Sequence, residues 1–185
     1  LWDPARLGYI TVYLAKEILD GKTLKDGDMV SLGNETIQAI EAKGHTDCSM
    51  AYALEPDGIL FTSESTGIVE AGLAINTPIL KSFADAMTSL EKCRGYGAKY
   101  ICLPHFGLIP QDFNEEYWMQ FQQGCEDRIQ MVREMKKEGL DADQMLERYR
   151  DRYWDPIMEQ EQPIEAFLIN AKNIIKAALR ALDEK

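Results

Sequence analysis

Hydrophobic positions recur along this chain with two periods, and the switches between them mark out its elements. In "DPARLGYITVYLAKEILDGK" (3–22), Leu7, Ile10, Leu14, Ile18 and Leu19 fall at helical spacing. Asp3 as N-cap, Pro4 at the first helical position and Gly21 beyond the end frame a predicted helix. Between 25 and 62 the period shortens to two. "DGDMVSLG" and "ETIQAIEAKG" alternate apolar and polar residues on either side of Gly33-Asn34, which is turn chemistry for a hairpin. "CSMAYALEPDGILFT" predicts two more short strands around Pro56-Asp57-Gly58.

Helical spacing returns at Thr77-Pro78, read as cap and first helical residue. Ile79, Leu80, Phe83, Ala84, Met87, Leu90 and Cys93 share one face, and Gly95 or Gly97 ends the helix. "KYICLP" follows as a short strand and delivers Pro104-His105-Phe106-Gly107; a helix returning to a strand is α/β logic. From 112 onward the pattern is helical throughout. Trp118, Phe121, Cys125, Ile129 and Val132 form one stripe, closed by Gly139. Met145, Tyr149 and Tyr153 belong to a short helix after Asp141. A last helix after Pro163 carries Phe167, Leu168, Ala171, Ile174, Ile175, Ala178 and Leu182, and the preceding "DPIMEQEQP" reads as a polar, exposed linker.

Charge and cysteine usage narrow the classes of partner. A net charge of −11 repels phosphate backbones and anionic lipid heads, so neither nucleic acid nor a membrane is expected as a partner. No apolar run approaches the roughly 18–20 residues of a membrane-spanning helix, and no signal peptide is visible at the start. Cys48, Cys93, Cys102 and Cys125 lack C-x-x-C spacing, so they read as small buried thiols in a reducing, cytoplasmic setting. For Asp47 a turn or capping role is expected.

Candidate chemistry collects at three strand ends: Gly44-His45-Thr46, Phe61-Thr62-Ser63-Glu64 and Pro104-His105-Phe106-Gly107. Two imidazoles and a carboxylate are the donor types of zinc, iron or manganese hydrolytic sites. Tyr117, Trp118 and Phe121, at helical spacing, are expected in the core rather than as pocket walls.

The order of these elements resembles the second half of the metallo-β-lactamase fold. There a hairpin like "GDMVSLGNETIQAIEAKGHT" leads into a Gly-His-Thr with a metal-binding His. The next strand ends near a bridging Asp, and a His-bearing turn follows one helix and one strand later. The resemblance covers about residues 25–110 and implies His45, Glu64 and His105 as metal ligands. It implies hydrolysis of an ester, thioester, lactone or similar small-molecule substrate, with zinc (or iron or manganese) as cofactor, dinuclear in a complete parent protein. Two departures qualify it. Ser63-Glu64 stands where Gly-Asp is expected, and the family's His-x-His-x-Asp-His cluster is absent, because His45 and His105 are the only histidines. The fold expected is therefore α/β, half of a metallo-β-lactamase-like αββα sandwich (25–110) followed by a helical C-terminal extension (111–185). Residues 1–24 are expected to be an N-terminal helix whose origin the sequence leaves open; 1–28 weakly resemble the C-terminal region of periplasmic sugar-binding proteins, through Leu-Trp-x-Pro…Leu-Gly-Tyr. A half-sandwich leaves an apolar sheet face. That predicts a homo-oligomer or a complementing N-terminal half as partner, and offers a non-catalytic associating module as the alternative function.

Overall fold

The computed structural model describes residues 23–154 and 162–183. The expected N-terminal helix, apart from its last positions, and most of the expected linker lie outside these residues. Six strands form one sheet: β1 (Met29–Ser31), β2 (Thr36–Glu41), β3 (Met50–Glu55), β4 (Ile59–Phe61), β7 (Tyr100–Leu103) and β8 (Gly107–Leu108), in that spatial order. The first four pair antiparallel through short turns, with Ile37 opposite Leu54 and Tyr52 opposite Phe61. β4 pairs parallel with β7, and such a pair needs a crossover. The crossover holds a small hairpin, β5 (Ile68–Val69) with β6 (Ile75–Asn76), and the helix α1 (Phe83–Gly95).

Alternation along the strands sorts side chains between two faces. One face presents Ile40, Ala42, Ala51, Ala53, Leu60, Ile101 and Leu103, all buried against helices. Its alanines let helix backbones approach closely, and Phe83, Ala86, Leu90 and Cys93 of α1 fill that space. The other face is a separate apolar cluster of Ile37, Leu54 and Ile59, bordered by half-buried Leu32, Tyr52, Phe61 and Tyr100.

The C-terminal region is three helices: α2 (Asn114–Lys137), α3 (Ala142–Tyr153) and α4 (Ile164–Asp183). Each matches the helix expected from spacing. Asp141 starts α3 with a capping box: its carboxylate accepts from Gln144 N while the Gln144 side chain accepts from Asp141 N. Tyr117, Trp118 and Phe121 are buried, as expected for core, and α4 packs along both α2 and α3. No described helix is long and apolar enough to cross a membrane.

Two local expectations are corrected. α1 starts at Phe83 rather than at Thr77-Pro78, because Ser82 is the residue whose hydroxyl accepts from Asp85 N, at 3.1 Å. Residues 77–81 instead stay outside the helix, with Thr77 and Ile79 fully buried. Cys48 is exposed, whereas Cys93 and Cys125 are buried as expected. It sits in the turn joining β2 to β3, where its side chain meets solvent.

Candidate functional site

β2, β4 and β7 run in the same direction, so their C-terminal ends lie along one edge of the sheet. Each of the three candidate residues follows one of these ends. Loops leaving a rigid sheet at a common edge aim their side chains at a common point.

His45 is held most firmly. The preceding Gly44 has φ 137°, and a Cβ there would sit 2.7 Å from the Ala86 Cβ and 2.8 Å from its Cα. Only glycine lets the loop lie this close to α1. The Gly44 carbonyl accepts from Lys81 N (3.0 Å) and Ser82 N (3.2 Å), and His45 N donates to Ser65 Oγ at 3.0 Å. The imidazole Nδ1 lies 2.6 Å from the Pro78 carbonyl oxygen. A carbonyl can only accept, so Nδ1 carries a proton, and in the neutral ring Nε2 is the nitrogen left to face the site.

Glu64 opens a one-turn 3₁₀ segment, Glu64–Thr66, capped by the Ser63 hydroxyl. α2 anchors this turn: Tyr117 OH donates to the Thr66 carbonyl at 2.8 Å and lies 3.0 Å from its hydroxyl. Burial pushes the Tyr117 phenol above its usual range, so it stays a neutral donor. His105 sits in the turn between β7 and β8 with φ 64°, a left-handed conformation uncommon outside glycine. Its side chain is 70% exposed, against 18% for His45 and 32% for Glu64.

These three side chains, far apart in sequence, meet. His45 Nε2 lies 3.3 Å from Glu64 Oε2, and His105 Nε2 lies 3.2 Å from Glu64 Oε1. One carboxylate thus spans two imidazoles. On the His45 side Nε2 meets an anionic oxygen, a contact that is favourable with either a proton or a cation between them. The donors suit a divalent cation in kind and number: two imidazole nitrogens, one already oriented through its Nδ1–H, and a carboxylate. Among the described residues, however, no group of three His, Cys, Asp or Glu side chains is spaced around a single ion. Instead the carboxylate lies directly against both imidazoles, at 3.3 and 3.2 Å.

Behind this cluster a cavity of about 640 Å³ runs between the β5–β6 hairpin and α2, α3 and α4. His45, Glu64 and His105 line it together with Asn76, Arg128, Tyr149 and Tyr153. Sequence reasoning does not pick out Arg128 and its surroundings. The available signal is an arginine on the same helical face as Phe121, Cys125 and Val132, a position where a charge needs a reason.

No family model matches the sequence. Solved structures do resemble the fold. A metallo-β-lactamase family protein from Thermus thermophilus superposes with a TM-score of 0.62 at 17% identity, over 87% of this chain and 48% of its own. A β-lactamase domain protein from Burkholderia ambifaria gives 0.60 at 16% identity, over 87% and 46%. An archaeal metallo-β-lactamase superfamily protein from Sulfolobus tokodaii matches at 22% identity and a TM-score of 0.47, over 54% and 38%. The first two superpositions make the architecture a partial metallo-β-lactamase-like fold, and the chain spans under half the length of each of these three proteins.

Proposed function

We propose that this chain carries the second half of a metal-dependent hydrolase, with His45, Glu64 and His105 as the residues that hold the metal. The observation that supports this most is the meeting of three side chains from three loops on one sheet edge, two imidazoles on one carboxylate, beside a cavity. The substrate class is a small ester, thioester, lactone or similar acyl compound, and zinc is the first candidate ion, with iron or manganese as alternatives.

In this reading each residue has a separate task. His45 offers Nε2, its tautomer set by the Pro78 carbonyl. His105, on an exposed turn, closes the opposite side. Glu64 is the anionic donor and balances the charge of a cation. A bound divalent cation would polarise an acyl oxygen and acidify water, lowering its pKa to near 7. The Ser65 and Thr66 contacts hold the turn that carries Glu64. The chain has no other histidine, so any further imidazole ligand comes from outside these 185 residues. Calorimetric titration with zinc tests the assignment: a single site that disappears in His45→Ala supports it, and unaltered binding in that variant refutes it.

A second reading is a non-catalytic half-domain that associates through its sheet. The partly exposed apolar rim of Leu32, Tyr52, Phe61 and Tyr100, around the buried Ile37, Leu54 and Ile59, is the observation in its favour. Sedimentation decides this one, since a monomer across the micromolar range would exclude self-association.

A further inference from the structure

Arg128 is 7% exposed and carries its charge into the interior of α2. Buried arginines are ordinarily matched by a carboxylate, because an unpaired charge in low dielectric is costly. Among the described residues none pairs with Arg128. Its Nε donates to Tyr149 OH at 3.1 Å, Nη1 to the Gly124 carbonyl at 3.1 Å and Nη2 to Asn76 Oδ1 at 2.7 Å. The guanidinium also lies 4.5 Å from the centre of the Tyr153 ring. The carboxylate nearest along this network is Glu70, one side chain removed, which accepts from Asn76 Nδ2 at 2.6 Å.

Every one of these contacts is to a neutral group, and together they hold the guanidinium rigidly. A guanidinium has five N–H groups. Three are used among the described residues, which leaves one on each terminal nitrogen. Both Arg128 and its partners Asn76, Tyr149 and Tyr153 line the same cavity as His45, Glu64 and His105. Phe167, Ala171 and Ile174 of α4 give that cavity an apolar wall.

We propose that Arg128 is the recognition residue of an anion-binding subsite in this cavity. Its ligand is a small molecule carrying one carboxylate or phosphate on an apolar stem. The two remaining N–H groups take two oxygens of the anion, the geometry for which arginine is suited. The stem lies against the α4 wall and extends towards His45 and His105. A volume of about 640 Å³ accommodates a compound of this size. Glu64 and Glu70 in the same cavity disfavour a polyanion, which restricts the ligand to a single charged group. The proposal deepens the hydrolase reading and rests on it only for what happens to the ligand; binding at Arg128 stands without a metal.

The test is metal-free calorimetry on the whole chain with benzoate, phenyl phosphate and the neutral isostere benzamide. Saturable binding of one or both anions at a single site, with benzamide at least about tenfold weaker, is expected. The tighter of the two anions identifies carboxylate or phosphate as the group recognised. Arg128→Gln should lose this preference, while His45→Ala, which removes none of the hydrogen-bond partners of Arg128, should retain it even though it abolishes zinc binding. That separates failure of the subsite from failure of the metal site. Arg128 is buried and its loss strands Tyr149 and Asn76, so Arg128→Lys provides a second variant. It keeps the charge without the fork, and binding should weaken about tenfold. Binding of neither anion to the wild-type chain, or of both no more tightly than benzamide, would overturn the proposal.

Discussion

The Nδ1 of His45 donates to the carbonyl oxygen of Pro78 across 2.6 Å, and this one bond decides which imidazole nitrogen is left for chemistry. It also explains a run of chain that otherwise looks wasted. Residues 77–81 stay out of α1, and so bring a carbonyl to the histidine that a helix would have kept for itself.

Removing the charge of Glu64 should uncouple the cluster. In Glu64→Gln the amide keeps the length of the side chain but no longer supplies an anion to either imidazole. Loss of an outer-shell partner alone costs about 10–100-fold in metal affinity, so loss of a direct donor should cost at least that. Competition titration against a chelator measures the change. An affinity within a factor of about two of wild type would remove Glu64 from the set.

Gly44→Ala should be among the most damaging single-methyl additions in the chain. The new Cβ meets Ala86 Cβ at 2.7 Å and backbone Cα at 2.8 Å, and the φ of 137° is strained for any L side chain. Together these cost about 2–4 kcal/mol, read as a fall in urea midpoint. Because Gly44 O also ties down Lys81 N and Ser82 N, His45 should lose its orientation in whatever fraction still folds.

Gly124→Ala tests packing against propensity. Alanine in a helix interior gains roughly 1 kcal/mol over glycine, yet its Cβ would lie 2.8 Å from Thr77 Cγ2 in a fully buried contact. Overpacking of about 1–3 kcal/mol should win, leaving a net loss. Thr77→Ser removes that methyl, so the double variant should recover most of the loss, and a double-mutant cycle should show the coupling.

The thiols separate by burial. Cys93 and Cys125 are pushed up to about 12 by burial, whereas Cys48 is exposed. At pH 8 a maleimide should therefore modify Cys48 first and leave Cys93 and Cys125 unmodified until the chain unfolds. The same shifts give a stability slope. Above the ordinary thiol value of 9.0 the unfolded chain loses these protons while the folded chain keeps them. The unfolded state then binds fewer protons, so stability should fall from about pH 9 to about pH 12.

What can be read from residue pattern alone follows from how local each signal is. The hairpin turns at Gly33-Asn34 and Pro56-Asp57-Gly58 and the stripes of α2, α3 and α4 are encoded within a few residues, and each appears where spacing puts it. His45, Glu64 and His105 can be named because each closely follows a strand, and strand direction then brings them together. Spacing misplaces the start of α1 because Thr77-Pro78 carries a capping signature as good as that of Ser82. The deciding factor is tertiary: Pro78 is needed beside His45, and Thr77 against Gly124. The β5–β6 hairpin, two residues per strand, is too short for any period to register. Arg128 is legible only as an exception within a stripe, and its meaning depends on Asn76 and Tyr149, which reach it from distant parts of the chain.

The central claim is that His45 and His105 bind a cation through Nε2, and a chain with only two histidines makes this directly measurable. Nitrogen-15 spectra of histidine-labelled protein resolve all four ring nitrogens. On titration with zinc, both Nε2 resonances should shift and His45 Nδ1 should remain protonated, held by Pro78. Unshifted Nε2 resonances at saturating zinc, or a His45 that loses its Nδ1 proton to the metal instead, would contradict the account.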